Sequence, residues 1–481
     1  MDPQSDWKEL KVTVMGLGQF GGGAAAARFA AKQGAEVTVT DSAPTERLAE
    51  SIAALEGVPI HRFRLGEHCE EDFRRADIVI VGPAVRHDNP YLQIARDHGA
   101  RLTSEIELFM QRCPAPIIGI TGTNGKSTTS AMIAHLLDEA EDTATGISPG
   151  TEADHRRRIK RPRTWLGGNI GVSLLDRLDE IEAHDRVVLE LSSFQLYHLS
   201  DDSPRPAIAV VMPCYPSHLN WHDDFAHYIN SKRRIFNTRQ DTQPQVVIDA
   251  SGLDGFRPAD ASCRAMQPLD DSALPELQVP GRHNRLNACC AVAAAEVFLR
   301  QFGEEVPDTR ERFPAKIAKY RGLPGRLETV ATIDGVRLIN DTASTNPESV
   351  IAALEAIDRP WLIIGGASKG ETDFGPLAEA IADRVQGVAV FGAIRESMFG
   401  CIHRILQNRR QQVGAAYLCP ECASFADLAE SLDWGIQKAE PGDTILFSPG
   451  FASFDQYRNF VDRGRHFREL VIASENRRYT I

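Results

Sequence analysis

Short runs of aliphatic and β-branched residues alternate along this chain with longer stretches of helical period, the pattern of parallel sheets covered by helices on both faces. The first unit reads as a strand over residues 12–15, a glycine-rich turn, an alanine-rich helix over about 20–32, and a strand over 36–40 that runs into Asp41. Strands are predicted again at 78–81 and near Leu102. Cys113-Pro-Ala-Pro116 then reads as extended connector, because proline disfavours helix at the residue before it. A second unit opens on a strand over 117–120 and continues through strands at 187–191, 207–212 and 245–248 and a helix over about 284–298. Gly322-Leu-Pro-Gly325 interrupts the pattern, and strands and helices resume at Glu328, Val336, Leu362, Gly387 and Thr444. These breaks predict three α/β domains, at 1–113, 114–323 and 324–481.

Length agrees, since 481 residues at roughly 150 per domain make about three. A 42% hydrophobic and 25% charged composition excludes disordered, collagen-like and disulfide-scaffold classes. Lys and Arg total 53 against 66 Asp and Glu, a net charge of -13. That balance argues against nucleic-acid or anionic-membrane partners, so any phosphate must be held by local groups. The basic run from Arg156 to Arg163 reads as a solvated loop. No apolar stretch is long enough for a membrane span, because even 288–299 is broken by Glu296. The opening residues lack a signal-peptide pattern, and the expectation is a cytoplasmic protein. The 9 cysteines are an odd number without framework spacing and read as reduced, mostly buried thiols, with Cys419-Pro-Glu-Cys422 as an incidental turn.

Two glycine-rich turns carry the first chemistry. Gly16-Leu-Gly18-Gln-Phe-Gly21 leaves a strand and opens a helix, and Asp41 closes the next strand. This is the spacing of a dinucleotide fold, in which glycines admit a pyrophosphate to a helix N-terminus and the acid takes a ribose hydroxyl. The same turn suits any diphosphate, or a tight packing contact alone. The second turn, Thr121-Gly-Thr-Asn-Gly-Lys126-Ser127-Thr128, lies between a strand and an apolar helix. It offers backbone N–H groups and the Lys126 ammonium to phosphates, and the Ser127 hydroxyl to magnesium. Ile120 stands where the commoner form of this loop has glycine, so the loop is a variant. No Asn-Lys dipeptide exists to begin a guanine-reading motif. Glu190 ends a predicted strand, where a carboxylate faces the ligand crevice and can hold magnesium. His218-Leu-Asn-Trp-His222 and Lys232 fall on a stretch predicted to turn helical. Alone they read as surface residues, and the pair lacks the glutamate of a zinc hydrolase.

Together these blocks resemble the Mur ligases. The resemblance rests on residues 122–128, Gly167-Gly-Asn-Ile-Gly171, Leu189-Glu-Leu-Ser-Ser-Phe-Gln-Leu196, His218 with Lys232, Gly281-Arg-His-Asn-Arg-Leu-Asn287, Asn340-Asp-Thr-Ala-Ser-Thr-Asn-Pro347, Gly365-Gly-Ala-Ser-Lys-Gly370 and Ser448-Pro-Gly-Phe-Ala-Ser-Phe454. The blocks at 189–196 and 448–454 point toward the glutamate-adding members. The resemblance implies a Rossmann-like N-terminal domain, a central P-loop ATPase-like parallel sheet and a C-terminal dinucleotide-fold-like α/β domain. It implies an ATP-dependent ligase that phosphorylates the alanine carboxylate of UDP-N-acetylmuramoyl-L-alanine and joins D-glutamate to the acyl phosphate, as a monomer.

Carried over by position, ATP binding falls to Gly122, Thr123, Asn124, Gly125, Lys126, Ser127, Thr128, Asn284, Asn287, Arg326 and Asp341. Two Mg2+ ions are implied, held by Ser127, Glu190, His218 and a carbamylated Lys232. Asn169 would orient the acyl centre, making Lys126, Asn169, Glu190, His218 and Lys232 the catalytic set. The UDP-sugar falls to Gly18, Gln19, Phe20, Asp41, Ser42 and Asn169, and glutamate to Thr345, Lys369, Ser453, Phe454 and Phe460. The predicted domain arrangement suggests closure over the substrates on two flexible joints, near Pro114 and Gly322. Ala343, Ser368, Ser217 and Asn220 depart from the family pattern and bear on amino-acid recognition. An L-glutamate-adding relative, another Mur-type ligase and a folylpolyglutamate synthase are the alternatives within the class. An NAD-dependent dehydrogenase or a noncatalytic nucleotide-binding protein would leave Lys126, Glu190 or the third domain unexplained.

Overall fold

The computed structural model describes residues 7–138, 162–171, 173–219, 221–236, 245–257, 263–302, 309–368, 373–414 and 417–479. Two compact units are present, Met1–Leu274 with Asn287–Ile317, and Pro275–Leu286 with Ala318–Ile481.

The first unit holds two all-parallel sheets. One comprises β1 (Lys11–Met15), β2 (Glu36–Asp41), β3 (Ile60–Leu65), β4 (Ile78–Val81) and β5 (Arg101–Thr103), in the order β3-β2-β1-β4-β5. The other comprises β6 (Ile117–Thr121), β7 (Thr164–Gly168), β8 (Arg186–Glu190), β9 (Ile208–Val211), β10 (Gln245–Asp249) and β11 (Cys263–Met266), in the order β11-β10-β9-β6-β8-β7. Central strands such as β4 and β6 are buried at every position, as expected where helices cover both faces. In each sheet the strand order reverses beside the strand that leads into a glycine turn, so both turns open at topological switch points. One apolar core runs through the unit, joining Val12 and Val14 of β1 to Val187 and Leu189 of β8 through Phe109 and Met110 of the helix Glu105–Arg112. Burying a side chain the size of Phe109 contributes about 2 kcal/mol, whereas the partly exposed Arg28–Asp176 ion pair nearby is worth at most about 1.

The second unit carries a mixed sheet of β12 (Glu328–Ile333), β13 (Val336–Asn340), β14 (Trp361–Gly365), β15 (Gly387–Phe391), β16 (Glu421–Ser424) and β17 (Thr444–Gly450), in the order β12-β13-β17-β14-β15-β16. Only β12 is antiparallel to its neighbour. Asp334 and Gly335 both have positive φ, 49° and 79°, the geometry of a two-residue hairpin turn that matches strand twist.

Several expectations need correction. The stretch 218–232 is not one helix: the helix is Phe225–Arg233, capped by Asp224, whose Oδ1 accepts the His227 N–H at 2.7 Å. His218 lies before it with φ 56°. Strands β3, β7, β11 and β16 were not anticipated, and Cys422 sits on β16 rather than in a turn. Among the described thiols, all free, Cys214, Cys289 and Cys290 are buried while Cys69, Cys113, Cys401, Cys419 and Cys422 are half-buried, so most are not fully enclosed. Lys369, Asn220 and most of the basic run 156–163 lie outside the described residues.

Candidate active site

The first glycine turn leaves β1, and Gly21 caps the helix Gly22–Lys32 with φ 83°. Asp41, at the end of β2, reaches back to it. Its Oδ2 accepts the Gly18 N–H at 2.9 Å and its Oδ1 the Ala43 N–H at 2.8 Å. The acid therefore ties the turn to the end of β2, and a carboxylate with about four lone-pair positions keeps capacity for a further donor. Gln19 donates Nε2 to the Arg47 carbonyl at 2.8 Å, while Gly18, Phe20 and Ser42 are exposed. The close approach of helix to turn falls to Gly23, missed in the sequence. A Cβ there would stand 2.3 Å from the Leu17 carbonyl oxygen and 2.4 Å from that of Gly16.

The second turn leaves β6, and Gly125 caps the helix Lys126–Leu137 with the same φ of 83°. Here the surroundings are side chains. A Cβ on Gly125 would lie 2.5 Å from Oδ1 of the buried Asn287, so the turn and the helix carrying Asn287 are brought together. Lys126 donates Nζ to the Thr123 carbonyl at 2.9 Å. The Thr123 hydroxyl is held by the Tyr215 N–H at 2.9 Å and lies 2.8 Å from the Tyr228 hydroxyl, so it anchors the loop. Asn124 is exposed, Ser127 buried and Thr128 half-buried.

Beneath this turn lies Lys232, fully buried, with Nζ donating to the Gly122 carbonyl at 2.7 Å and 4.6 Å from the Tyr228 ring centre. Burial, and then the charge of Lys126, hold its pKa well below the ordinary lysine value, while Glu190 acts the other way. Glu190, buried at the end of β8, accepts Asn169 Nδ2 on Oε1 at 2.8 Å. Its Oε2 is buried without a hydrogen-bond partner. Such an oxygen is costly unless a cation or donor meets it, so the donor set suits a divalent ion. Mg2+ takes oxygen ligands, and the Glu190 carboxylate and the buried Ser127 hydroxyl are donors of that kind. His218 is exposed and packs edge-on against Phe194, ring centres 4.9 Å apart. His222, buried, bonds Ser193 Oγ at 2.9 Å, and burial lowers its pKa to about 4, so its imidazole is neutral.

The second unit gathers the remaining described candidates. Asp341, just past β13, accepts the Ser448 hydroxyl at 2.7 Å, the Leu327 N–H at 3.1 Å and the Ser344 hydroxyl. Burial raises its pKa to about 6 against these bonds and the nearby Arg326. Asn284 is buried, with Nδ2 on the Pro280 carbonyl at 2.7 Å, and Arg326 is exposed. Ser453 is buried, Thr345 half-buried and Phe454 largely exposed. The Phe460 carbonyl accepts the Thr342 hydroxyl at 3.0 Å, which places backbone rather than ring in the network. Arg463, missed in the sequence, is fully buried and donates to the carbonyls of Gly365 at 3.3 Å, Phe451 at 3.0 Å and Thr342 at 3.2 Å. It braces the chain segments that follow β13, end β14 and follow β17.

Three family models match in order: the MurD-like N-terminal domain of Mur ligases over residues 10–104, the Mur ligase middle domain over 120–253 and the Mur ligase glutamate ligase domain over 325–451. The chain belongs to the Mur ligase family. Among its relatives, the UDP-N-acetylmuramoylalanine–D-glutamate ligase of Roseiflexus sp. is 36% identical, with 96% of this chain and 98% of the relative covered. That of Symbiobacterium thermophilum is 33% identical, covering 93% and 94%. A crystal structure of MurF from Acinetobacter baumannii shares the fold at 16% identity and a TM-score of 0.52, covering 85% of this chain and 92% of that one. So does Mycobacterium tuberculosis folylpolyglutamate synthase complexed with ADP, at 15% identity and 0.50, covering 76% and 92%.

Proposed function

We propose that this protein is an ATP-dependent ligase that adds D-glutamate to UDP-N-acetylmuramoyl-L-alanine, in cytoplasmic peptidoglycan precursor synthesis. Support for the substrates comes from the nearly full-length similarity to ligases bearing that name. Support for the chemistry comes above all from one arrangement: a phosphate-type turn ending in Lys126, above a buried lysine and a buried carboxylate with an unmet oxygen. The alanine carboxylate oxygen attacks the γ-phosphorus and ADP leaves. The glutamate amine then attacks the acyl carbon, the carbon–oxygen bond to phosphate breaks, and the amine loses a proton. Negative charge accumulates on phosphoryl oxygens in the first step, and Lys126 with the N–H groups of residues 122–128 would bind it.

Bound Mg2+ would neutralise charge on the phosphoryl oxygens. Ser127, Glu190, His218 and Lys232 are the residues proposed to hold two such ions. The depressed pKa of Lys232 favours its neutral amine, the form that adds carbon dioxide, and the carbamate so formed is an anionic oxygen ligand. Asn169, donating to Glu190, orients that carboxylate and the acyl centre. Asn284, Asn287, Arg326 and Asp341 are assigned to ATP on the family resemblance, and Gly18, Gln19, Phe20, Asp41 and Ser42 to the UDP-sugar. Thr345, Lys369, Ser453, Phe454 and Phe460 are assigned to glutamate. The spans 1–113, 114–323 and 324–481 would then divide the three substrates.

The test is product analysis by mass spectrometry, with ATP, the muramoyl-alanine precursor and either glutamate enantiomer. One amide product and one phosphate per turnover are expected with D-glutamate, and neither when any substrate is omitted. Equal turnover with L-glutamate would remove the stereochemical assignment. Turnover with other amino acids but neither enantiomer would remove the glutamate reading.

A further inference from the structure

Outside the residues assigned above, one group of side chains in the first unit has metal-ligand composition. His87, in the loop that follows β4, meets Asp223 and His227, which stand just before and on the helix Phe225–Arg233. One ligand atom from each lies within 4.8 Å of the others. His87 Nε2 stands 3.3 Å from Asp223 Oδ1, and His227 Nδ1 stands 3.6 Å from Asp223 Oδ2. The imidazole rings cross nearly at right angles, 85°, with centres 4.7 Å apart.

These separations are long for hydrogen bonds but natural for ligands of one ion. Two donors at about 2.0–2.1 Å from a tetrahedral zinc stand roughly 3.3 Å apart. His87 Nε2 is moreover buried without a hydrogen-bond partner, although its ring sits beside a carboxylate that a protonated imidazole would bond. Trp221, buried, packs against both rings, at 5.5 Å from His87 and 6.2 Å from His227, and is itself fixed by donating its Nε1 to the Ala84 carbonyl at 3.2 Å. Asp223 is open to solvent, 59% exposed, which leaves room for water as a fourth ligand. Two contacts compete with an ion: the Asp223 N–H meets His227 Nδ1 at 3.2 Å, and Arg86 Nη2 lies 3.6 Å from Asp223 Oδ1. The first is a weak bond that a metal would replace. Arg86 is drawn aside by Asp88, which it bonds at 2.9 and 3.1 Å.

We propose that His87, Asp223 and His227 form a binding site for a zinc-class divalent ion. Two imidazoles and one carboxylate select a borderline-soft cation over Mg2+, which takes oxygen donors. An ion there fastens the loop after β4 to the helix that carries Lys232. Because ligands come from two segments 136 positions apart in sequence (223 minus 87), occupancy should raise thermal stability by mass action.

The experiment is titration of the chelator-treated, full-length protein with Zn2+ by calorimetry and with Co2+ by visible ligand-field absorption, without nucleotide. The variants are His87→Ala, His227→Ala, Asp223→Asn and, for the proposed magnesium site, Glu190→Gln. One zinc-class ion is expected to bind the wild type and Glu190→Gln alike. Either histidine substitution removes a ligand and should weaken binding about a hundredfold, and Asp223→Asn, which keeps an oxygen but loses its charge, about tenfold, a scale that changes to the partners behind a ligand already reach. Zn2+ should raise the melting temperature of the wild type and not of His87→Ala. Asp223→Asn alters an exposed side chain and keeps the test decisive if a histidine variant fails to fold. The proposal is overturned if no ion binds, if binding survives His87→Ala or, where that chain does not fold, Asp223→Asn at full strength, or if it is lost only in Glu190→Gln.

Discussion

The two glycine turns of the first unit have nearly the same backbone and opposite surroundings. Gly21 and Gly125 both cap a helix at φ 83°, with ψ of -18° and -16°. Around the first stand an acid and backbone groups: Asp41 holds the Gly18 N–H, and Gly23 lets the helix lie on the turn's own carbonyls. Around the second stand two lysines, the carboxylate Glu190 and the amide Asn287. Backbone geometry alone makes an anion site at a helix N-terminus. The side chains decide whether that site merely holds a diphosphate or concentrates charge for phosphoryl transfer.

The largest effect that separates the turns is expected from Lys126→Ala, which should lower kcat by on the order of 10³ by removing a cation from the transferring phosphoryl group. Steady-state phosphate release measures it, and near-normal turnover would place the chemistry elsewhere. Next, Gly23→Ala should cost about 3 kcal/mol in denaturant unfolding, since its new methyl meets two backbone carbonyls that cannot yield. Gly21→Ala, whose Cβ points into open space, should cost only about 1 kcal/mol for its left-handed backbone. Equal costs would mean that helix and turn do not touch as described.

Asp41→Asn comes third, expected to raise KM for the UDP-sugar about tenfold, the scale of one charged hydrogen bond, with kcat little changed. The smallest effect lies outside both turns. Asp341 has a folded pKa raised to about 6 from an ordinary 3.8, so the native state binds the extra proton between those values. Its contribution to stability is then present below the unfolded pKa and lost as pH rises through about 6. Thermal melts should show a decline of a few degrees over that window, flattened in Asp341→Asn.

Much of this was legible because central strands and glycine turns announce themselves. β4 and β6 are buried at every position and almost wholly apolar, and the residues flanking Gly16–Gly21 and Gly122–Lys126 place both turns between strand and helix. The edge strands β3, β7, β11 and β16 were not legible, whereas the edge strands β5 and β12 were. β3 exposes His61, Arg62 and Phe63 in succession, and β7 ends in two glycines, so neither shows a buried alternation. His218 departs from helix through a left-handed backbone that no local residue signals. The partners of the buried groups are long-range. Lys232 meets Gly122 across 110 positions, and Arg463 meets Thr342 across 121. Resemblance named Lys232, but only the fold gives the neighbours that depress its pKa.

The division of labour between the turns is tested most directly by calorimetric binding of ATP and of UDP-N-acetylmuramoyl-L-alanine, separately, to Lys126→Ala and Asp41→Asn. The account predicts that Lys126→Ala loses ATP affinity and keeps that for the UDP-sugar, and that Asp41→Asn does the reverse. Both ligands weakened equally by either substitution, or the two losses exchanged, would contradict it.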